Sequence, residues 1–215
     1  MQPTATLSQS RYDFAAEAAR RFARPAATAL DLGAGDGRMK PAIESAGFHW
    51  RGFDREANGA IEAWDLNEPC PQHVEASFAI LLDVIEHLPN PGLALTNIGR
   101  VLVPGAKLVI TTPNPRWSRS RFHALATGFP ICFTEGDLRN GHVFPTWPHI
   151  LEELLGYYGF VVTEYATLDG PTIWPRGLSL ARYAFALANK IIERFDRSAC
   201  GMSYAIVATY HGATR

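Results

Sequence analysis

The residues able to do chemistry in this chain cluster in its first half, and most of them are carboxylates. Asp31-Leu32-Gly33-Ala34-Gly35-Asp36-Gly37 packs its glycines into one short turn. Glycines there let backbone approach a ligand closely. Free N–H groups of a helix that follows suit an anion such as a carboxylate or phosphate. The competing reading is a tight turn and nothing more. The glycine positions miss the dinucleotide fingerprint, because Arg38 stands where its third glycine belongs. Asp54 follows Gly33 by about 20 residues. An ionised carboxylate is acceptor-only and takes the two hydroxyl hydrogen bonds that a ribose diol offers. Otherwise Asp54 is a solvated acid at a strand end.

Two further groups follow. Asp65-Leu66 pairs an acceptor for an exocyclic amine, such as that of adenine, with an apolar side chain that packs on a base. Its alternative is a turn aspartate ahead of Asn67-Glu68-Pro69. Asp83-Val84-Ile85-Glu86-His87-Leu88 brings polar groups to the end of an apolar run. His87 titrates near operating pH and suits a general base, or else it is a positioning or structural histidine.

The elements that must hold these residues alternate. An Ala/Arg-rich segment from Ser8 to Ala23 reads as a helix stopped by Pro25. Strands are predicted at 29–32, 48–53, 61–66, 78–82, 107–112, 160–166 and 203–210. Helices are predicted at 38–46, 91–102, 147–158 and 178–195. Phe78-Ala79-Ile80-Leu81-Leu82 is apolar throughout, as in a strand buried on both faces. Such alternation predicts a parallel sheet with right-handed crossovers. Each acid then falls near a strand's carboxyl end, where open α/β sheets bind ligands. The stretch from Asn114 to Phe144 has poor periodicity and reads as an irregular excursion, with one helix near 119–126.

In order, Ala29-to-Gly37, Asp54, Asp65, Asp83-to-His87 and Leu102-Val103-Pro104-Gly105 resemble the successive motifs of class I S-adenosylmethionine (SAM)-dependent methyltransferases. The likeness covers roughly residues 28 to 113 and the helix and strand from 147 to 166. It implies a doubly wound α/β, Rossmann-like fold with a seven-stranded sheet, mostly parallel, whose last strand is antiparallel. The whole chain, 1–215, would be one domain with a substrate-side excursion at about 114–146. The cofactor would be SAM. Asp31, Gly33 and Gly35 would hold its methionyl end, Asp54 its ribose, Asp65 and Leu66 its adenine, and Asp83 would line the cleft near the sulfonium. His87 or His142 would serve as a base for a hydroxyl acceptor. Two features depart from the pattern: Ser77, where many relatives place an aspartate, and a long helix before the last strand. Thr112-Pro113-Asn114 and Gly141-His142 further resemble two subgroups. One comprises small-molecule and glycan-linked methyltransferases related to ubiquinone-biosynthesis O-methyltransferases. The other comprises MetW-type methionine-biosynthesis proteins, which implies the alternative of a regulatory protein that binds a partner enzyme without robust turnover.

Composition sets the outer bounds. A net charge of -1 gives no global field for nucleic acid. Cys70, Cys132 and Cys200 are far apart and form no Cys/His cluster, so no metal site and a reducing, cytoplasmic setting are expected. No apolar run is long enough to span a membrane. The expected partner is a small-molecule or glycan-precursor substrate. Arg116, Arg119 and Arg121 with Trp117 read as a clamp for an anionic acceptor group or as a solvated helix face. Leu180, Tyr183, Leu187, Ile191 and Phe195 share one helical stripe. Core packing is its default reading, with a partner or membrane face as the alternative.

Overall fold

Capping chemistry sets most helix boundaries in the computed structural model, which describes residues 2–177 and 179–212. Helix α1 (Arg11–Arg21) opens on a capping box, in which the Ser10 side chain accepts from Asp13 N and Asp13 accepts from Ser10 N. Helix α3 (Pro91–Val101) begins after Asn90, whose side chain accepts from Leu93 N at 3.0 Å, with Pro91 in the first turn where its missing N–H costs nothing. Helix α6 (Pro148–Tyr157) uses the same proline device. Helix α4 (Ser118–Thr127) stops at Gly128, which adopts φ +84°. The remaining helices are α2 (Lys40–Ser45), α5 (Glu135–Arg139) and α7 (Leu180–Phe195).

The strands are β1 (Ala5–Thr6), β2 (Thr28–Leu32), β3 (His49–Asp54), β4 (Ile61–Ala63), β5 (Ala76–Leu82), β6 (Leu102–Pro113), β7 (Phe160–Leu168) and β8 (Ser203–Tyr210). They form one sheet in the order β1-β7-β8-β6-β5-β2-β3-β4. Neighbours run parallel, except that β8 is antiparallel to both β6 and β7. Side chains of β5 alternate between two cores, which explains its unbroken apolar run. Ala79 and Leu81 join Leu95 and Ile98 of α3 and Leu151 and Leu155 of α6. Phe78 and Ile80 join Phe14 and Ala18 of α1 and Ile43 of α2 on the opposite face. Each buried Leu, Ile or Phe side chain among these contributes about 1.5–3 kcal/mol. The sheet is therefore doubly wound, with its last strand antiparallel as the resemblance implies.

Four expectations are revised. The sheet has eight strands, not seven, because Ala5–Thr6 pairs with Ala166–Thr167. Two residues are too few to show a period. Helix α2 starts at Lys40 rather than Arg38, because Gly37 at φ +73° keeps the loop turning. The excursion after β6 holds two helices, α4 and α5, the latter nucleated by a Thr134–Asp137 capping box. The stripe of α7 is not core. Leu180, Tyr183, Leu187, Ile191 and Phe195 are all exposed, and Ala186, Asn189 and Glu193 face inward. Residue 178, included in the predicted helix, lies outside the described residues.

Candidate functional site

From β2 the chain moves outward through β3 to β4, and from β5 it moves the other way to β6. The crevice between the carboxyl ends of β2 and β5 is thus a topological switch point, the place where such sheets bind ligands. A cavity of about 540 Å³ opens there, lined by Gly33, Asp54, Asp65, Leu66, Asp83 and His87 among others. That volume suits a nucleoside-sized ligand.

The glycine loop forms one wall. Gly33, Gly35 and Gly37 all have positive φ, at 77°, 58° and 73°. Gly33 is also sterically required, since a Cβ there would stand 2.3 Å from Val84 Cγ2 on the facing loop. Backbone N–H groups of Gly33 and Ala34 donate to Phe53 O at 2.8 and 2.9 Å, and Gly35 N donates to Asp54 Oδ2 at 2.8 Å. Asp54 therefore clamps the loop while its remaining lone pairs face the cavity it lines. Asp31 and Gly35 do not line the cavity. Asp31 is buried and accepts from Trp50 Nε1 at 3.1 Å. Burial pushes its carboxyl up to about 6, against the lowering effect of the Trp50 hydrogen bond.

The opposite wall is built at the end of β5. Asp83 adopts φ +52°, a strained conformation for a residue with a side chain. Its carboxylate accepts from Thr111 Oγ1 at 2.8 Å and pairs with Arg11 at 2.8 Å. Next to it Glu86 is almost completely buried and accepts from Thr112 Oγ1 at 3.0 Å. Burial first, and the neighbouring Asp83 second, push the Glu86 carboxyl up to about 8. The backbone oxygen of Glu86 accepts from Val143 N and Phe144 N at 2.9 and 3.0 Å. That tie brings the end of the excursion to the cleft and sets the His142 ring edge-on to His87, with centroids 4.6 Å apart.

Burial, and then His142, hold the pKa of His87 below its usual value, so its neutral form prevails near pH 7. The Nδ1 of His142 lies 2.7 Å from Cys132 O. A carbonyl can only accept, so Nδ1 carries the proton and Nε2 of the neutral ring is left as an acceptor. Burial pushes the Cys132 thiol up to about 11, which keeps it protonated at neutral pH. Glu86, His87 and His142 each offer a ligand atom within 4.8 Å of the others, a grouping able to take a metal ion. Spacing along the chain, which pointed to no metal site, does not reveal it.

On the third side Asp65 caps its own turn. It accepts from Asn67 N at 2.9 Å and from Asn67 Nδ2 at 3.2 Å, and these bonds hold its pKa below the usual range. Leu66 is buried in the core and also borders the cavity. Arg11, Arg55, Trp64 and Asn140 are additions that sequence reasoning did not reach. Arg11 arrives because the capping box starts α1 at that residue, the nearest thing to a sequence signal among the four. The arginine cluster lies elsewhere. Arg116 and Arg121 pair with Asp196 after α7, at 3.3 and 2.5 Å, and Arg119 stacks on Trp117.

Comparison with known proteins agrees with this geometry. A SAM-dependent methyltransferase from Archaeoglobus fulgidus superposes with a TM-score of 0.62 at 19% identity, over 93% of this chain and 95% of that one. Magnesium protoporphyrin IX methyltransferase from Synechocystis, solved with bound SAH, gives 0.57 at 14% identity, over 93% and 83%. A SAM-dependent methyltransferase from Methanosarcina mazei gives 0.58 at 16% identity, over 89% and 96%. No curated protein matches. These likenesses show the fold. The sequence itself matches the family described as methyltransferase domain over residues 7–165. The motifs, the switch-point cleft and that match lead to one assignment: the chain belongs to the methyltransferase-domain family.

Proposed function

We propose that this protein transfers a methyl group from SAM to an oxygen or nitrogen of a small-molecule or glycan-precursor acceptor. The observation that carries the reading is the joining of Asp54 and Asp65, acceptors for a diol and an amine, with a neutral His87 around one cavity. The cradle fits SAM on its own terms. Gly33 lines the cavity without a side chain, so a ligand can come close to the loop backbone. Leu66, Trp64 and Leu88 give the cavity apolar wall for a base. SAM, when bound, supplies an activated methyl on a sulfonium.

The chain supplies position, dryness and a proton acceptor. Asp54 binds the ribose hydroxyls, and Asp65 with Leu66 holds the adenine. Asp83, fixed by Thr111 and Arg11, sets the charge at the end of β5. His87 takes the proton when the acceptor is a hydroxyl, and the His142 ring beside it disfavours the doubly charged pair. Asp31, buried at the start of the glycine loop and held by Trp50, would act on the methionyl end only through the loop. Calorimetric titration with SAM and with its demethylated product tests the cofactor reading, using wild type and Asp54→Ala. Weakening by about tenfold or more in the variant is expected, since two charge-assisted hydrogen bonds are lost. Equal affinity in both proteins rejects the ribose assignment. Single-turnover rates of His87→Ala and His142→Ala on hydroxyl acceptors test the base, and unchanged rates for both reject it.

A further inference from the structure

Helix α7 is amphipathic the wrong way round for a helix in a protein core. Its inward positions carry Ala186, Asn189 and Glu193, while Leu180 and Phe195 on the outer stripe are each 87% exposed. Glu193 fixes this orientation. Its carboxylate accepts from Ser118 Oγ at 2.8 Å, Thr172 Oγ1 at 2.6 Å and Thr172 N at 2.9 Å. Rolling the helix to bury its stripe would break all of these bonds and leave the carboxylate without partners. The apolar face is therefore built to point outward.

Aromatic and basic residues extend it. Trp174 is half-exposed, stacks on Tyr183 with centroids 6.1 Å apart, and carries Lys190 Nζ 5.2 Å from its ring. Ile173 beside it is exposed. Between residues 173 and 197 stand Arg176, Arg182, Lys190, Arg194 and Arg197, against Glu193 and Asp196. Both acids are engaged, Glu193 as described and Asp196 with Arg116 and Arg121. None of the five cations pairs with a carboxylate among the described residues. A chain with net charge -1 thus concentrates unpaired positive charge around one apolar stripe.

We infer that Trp174 and the outer stripe of α7 form a docking surface for a membrane bearing anionic lipid headgroups. Apolar side chains enter the interface at headgroup depth, tryptophan and tyrosine sit at the boundary, and the surrounding cations meet lipid phosphates. A second copy of this chain is the weaker occupant. A two-fold interface would set the same cations against themselves across a shared apolar seam.

Flotation with vesicles tests this, using phosphatidylcholine alone and phosphatidylcholine mixed with phosphatidylglycerol. Wild type is expected to float with the mixed vesicles and to release as salt rises. The double variant Leu187→Ser/Ile191→Ser should lower the partition coefficient about tenfold or more, and Lys190→Gln/Arg194→Gln should lower it on the mixed vesicles only. Leu187, Ile191 and Arg194 are exposed and Lys190 is half-buried against Trp174, so urea midpoints close to wild type are expected and verify the fold. Absence of wild-type flotation, or flotation that Leu187→Ser/Ile191→Ser leaves unchanged, overturns the inference. So does a wild-type dimer in sedimentation equilibrium that the same double variant dissociates.

Discussion

The stability of this protein should fall as pH rises from about 5 to 8, and Glu86 should be a principal cause. Its carboxyl is almost wholly enclosed, accepts from Thr112 Oγ1 as its one side-chain partner among the described residues, and lies near Asp83. Burial moves its pKa from 4.5 to about 8. The folded state then holds a proton that the unfolded chain releases throughout that window, so folding is opposed increasingly as pH rises. At 1.36 kcal/mol per pH unit, the full displacement corresponds to about 5 kcal/mol, with about 3 kcal/mol of it falling between pH 5 and 8. Solvent screening removes little at such a buried site. Glu86→Gln keeps the shape and the acceptor for Thr112 and abolishes the titration. Urea denaturation followed by circular dichroism, at several pH values, should therefore give two curves that diverge. The variant should match wild type near pH 5 and exceed it by about 3 kcal/mol near pH 8. Parallel curves, or a wild type that gains on the variant as pH rises, would refute the account of Glu86 as a proton-holding buried acid.

Asp31 follows the same sign over a lower window. Its pKa rises from 3.8 to about 6 through burial, so Asp31→Asn should lose less stability than wild type between pH 4 and 7, by about 2 kcal/mol in urea titrations. Gly33→Ala places a Cβ against Val84 at a left-handed φ, and SAM affinity should drop about tenfold by calorimetry. Adding Val84→Ala should restore part of that loss if steric conflict is the cause, and no recovery would point to backbone strain instead. Asn114→Ala leaves the carbonyls of Ser198, Cys200 and Gly201 without their amide donor, in the buried junction between β6 and the approach to β8. A destabilisation of about 2–4 kcal/mol is expected in chemical denaturation.

What the amino-acid sequence determined by itself is everything that depends on neighbours along the chain. Alternating apolar runs and periodic helices specified the wound sheet, since a strand buried on both faces, such as β5, shows no polar positions. Capping residues and prolines set helix starts. The glycines at 33, 35 and 37 announced a turn that a ligand can approach closely, and the structure added that all three are left-handed. Strand ends located Asp54, Asp65 and Asp83 at one edge of the sheet, and all three border the cavity. Tertiary structure alone decided which way side chains face and what meets across long separations. Asp31 turns to Trp50 and away from the cavity because β2 alternates its faces and that face is covered by the β3 indole. His142 reaches His87 through backbone hydrogen bonds to Glu86 that no local pattern encodes. Arg11 reaches Asp83 only once α1 lies across the sheet. Helix α7 shows the divide most clearly. Its periodicity correctly announces an apolar stripe, yet periodicity is blind to the direction of the core. Three hydrogen bonds to Glu193, from Ser118 and Thr172, outweigh the tendency of that stripe to turn inward.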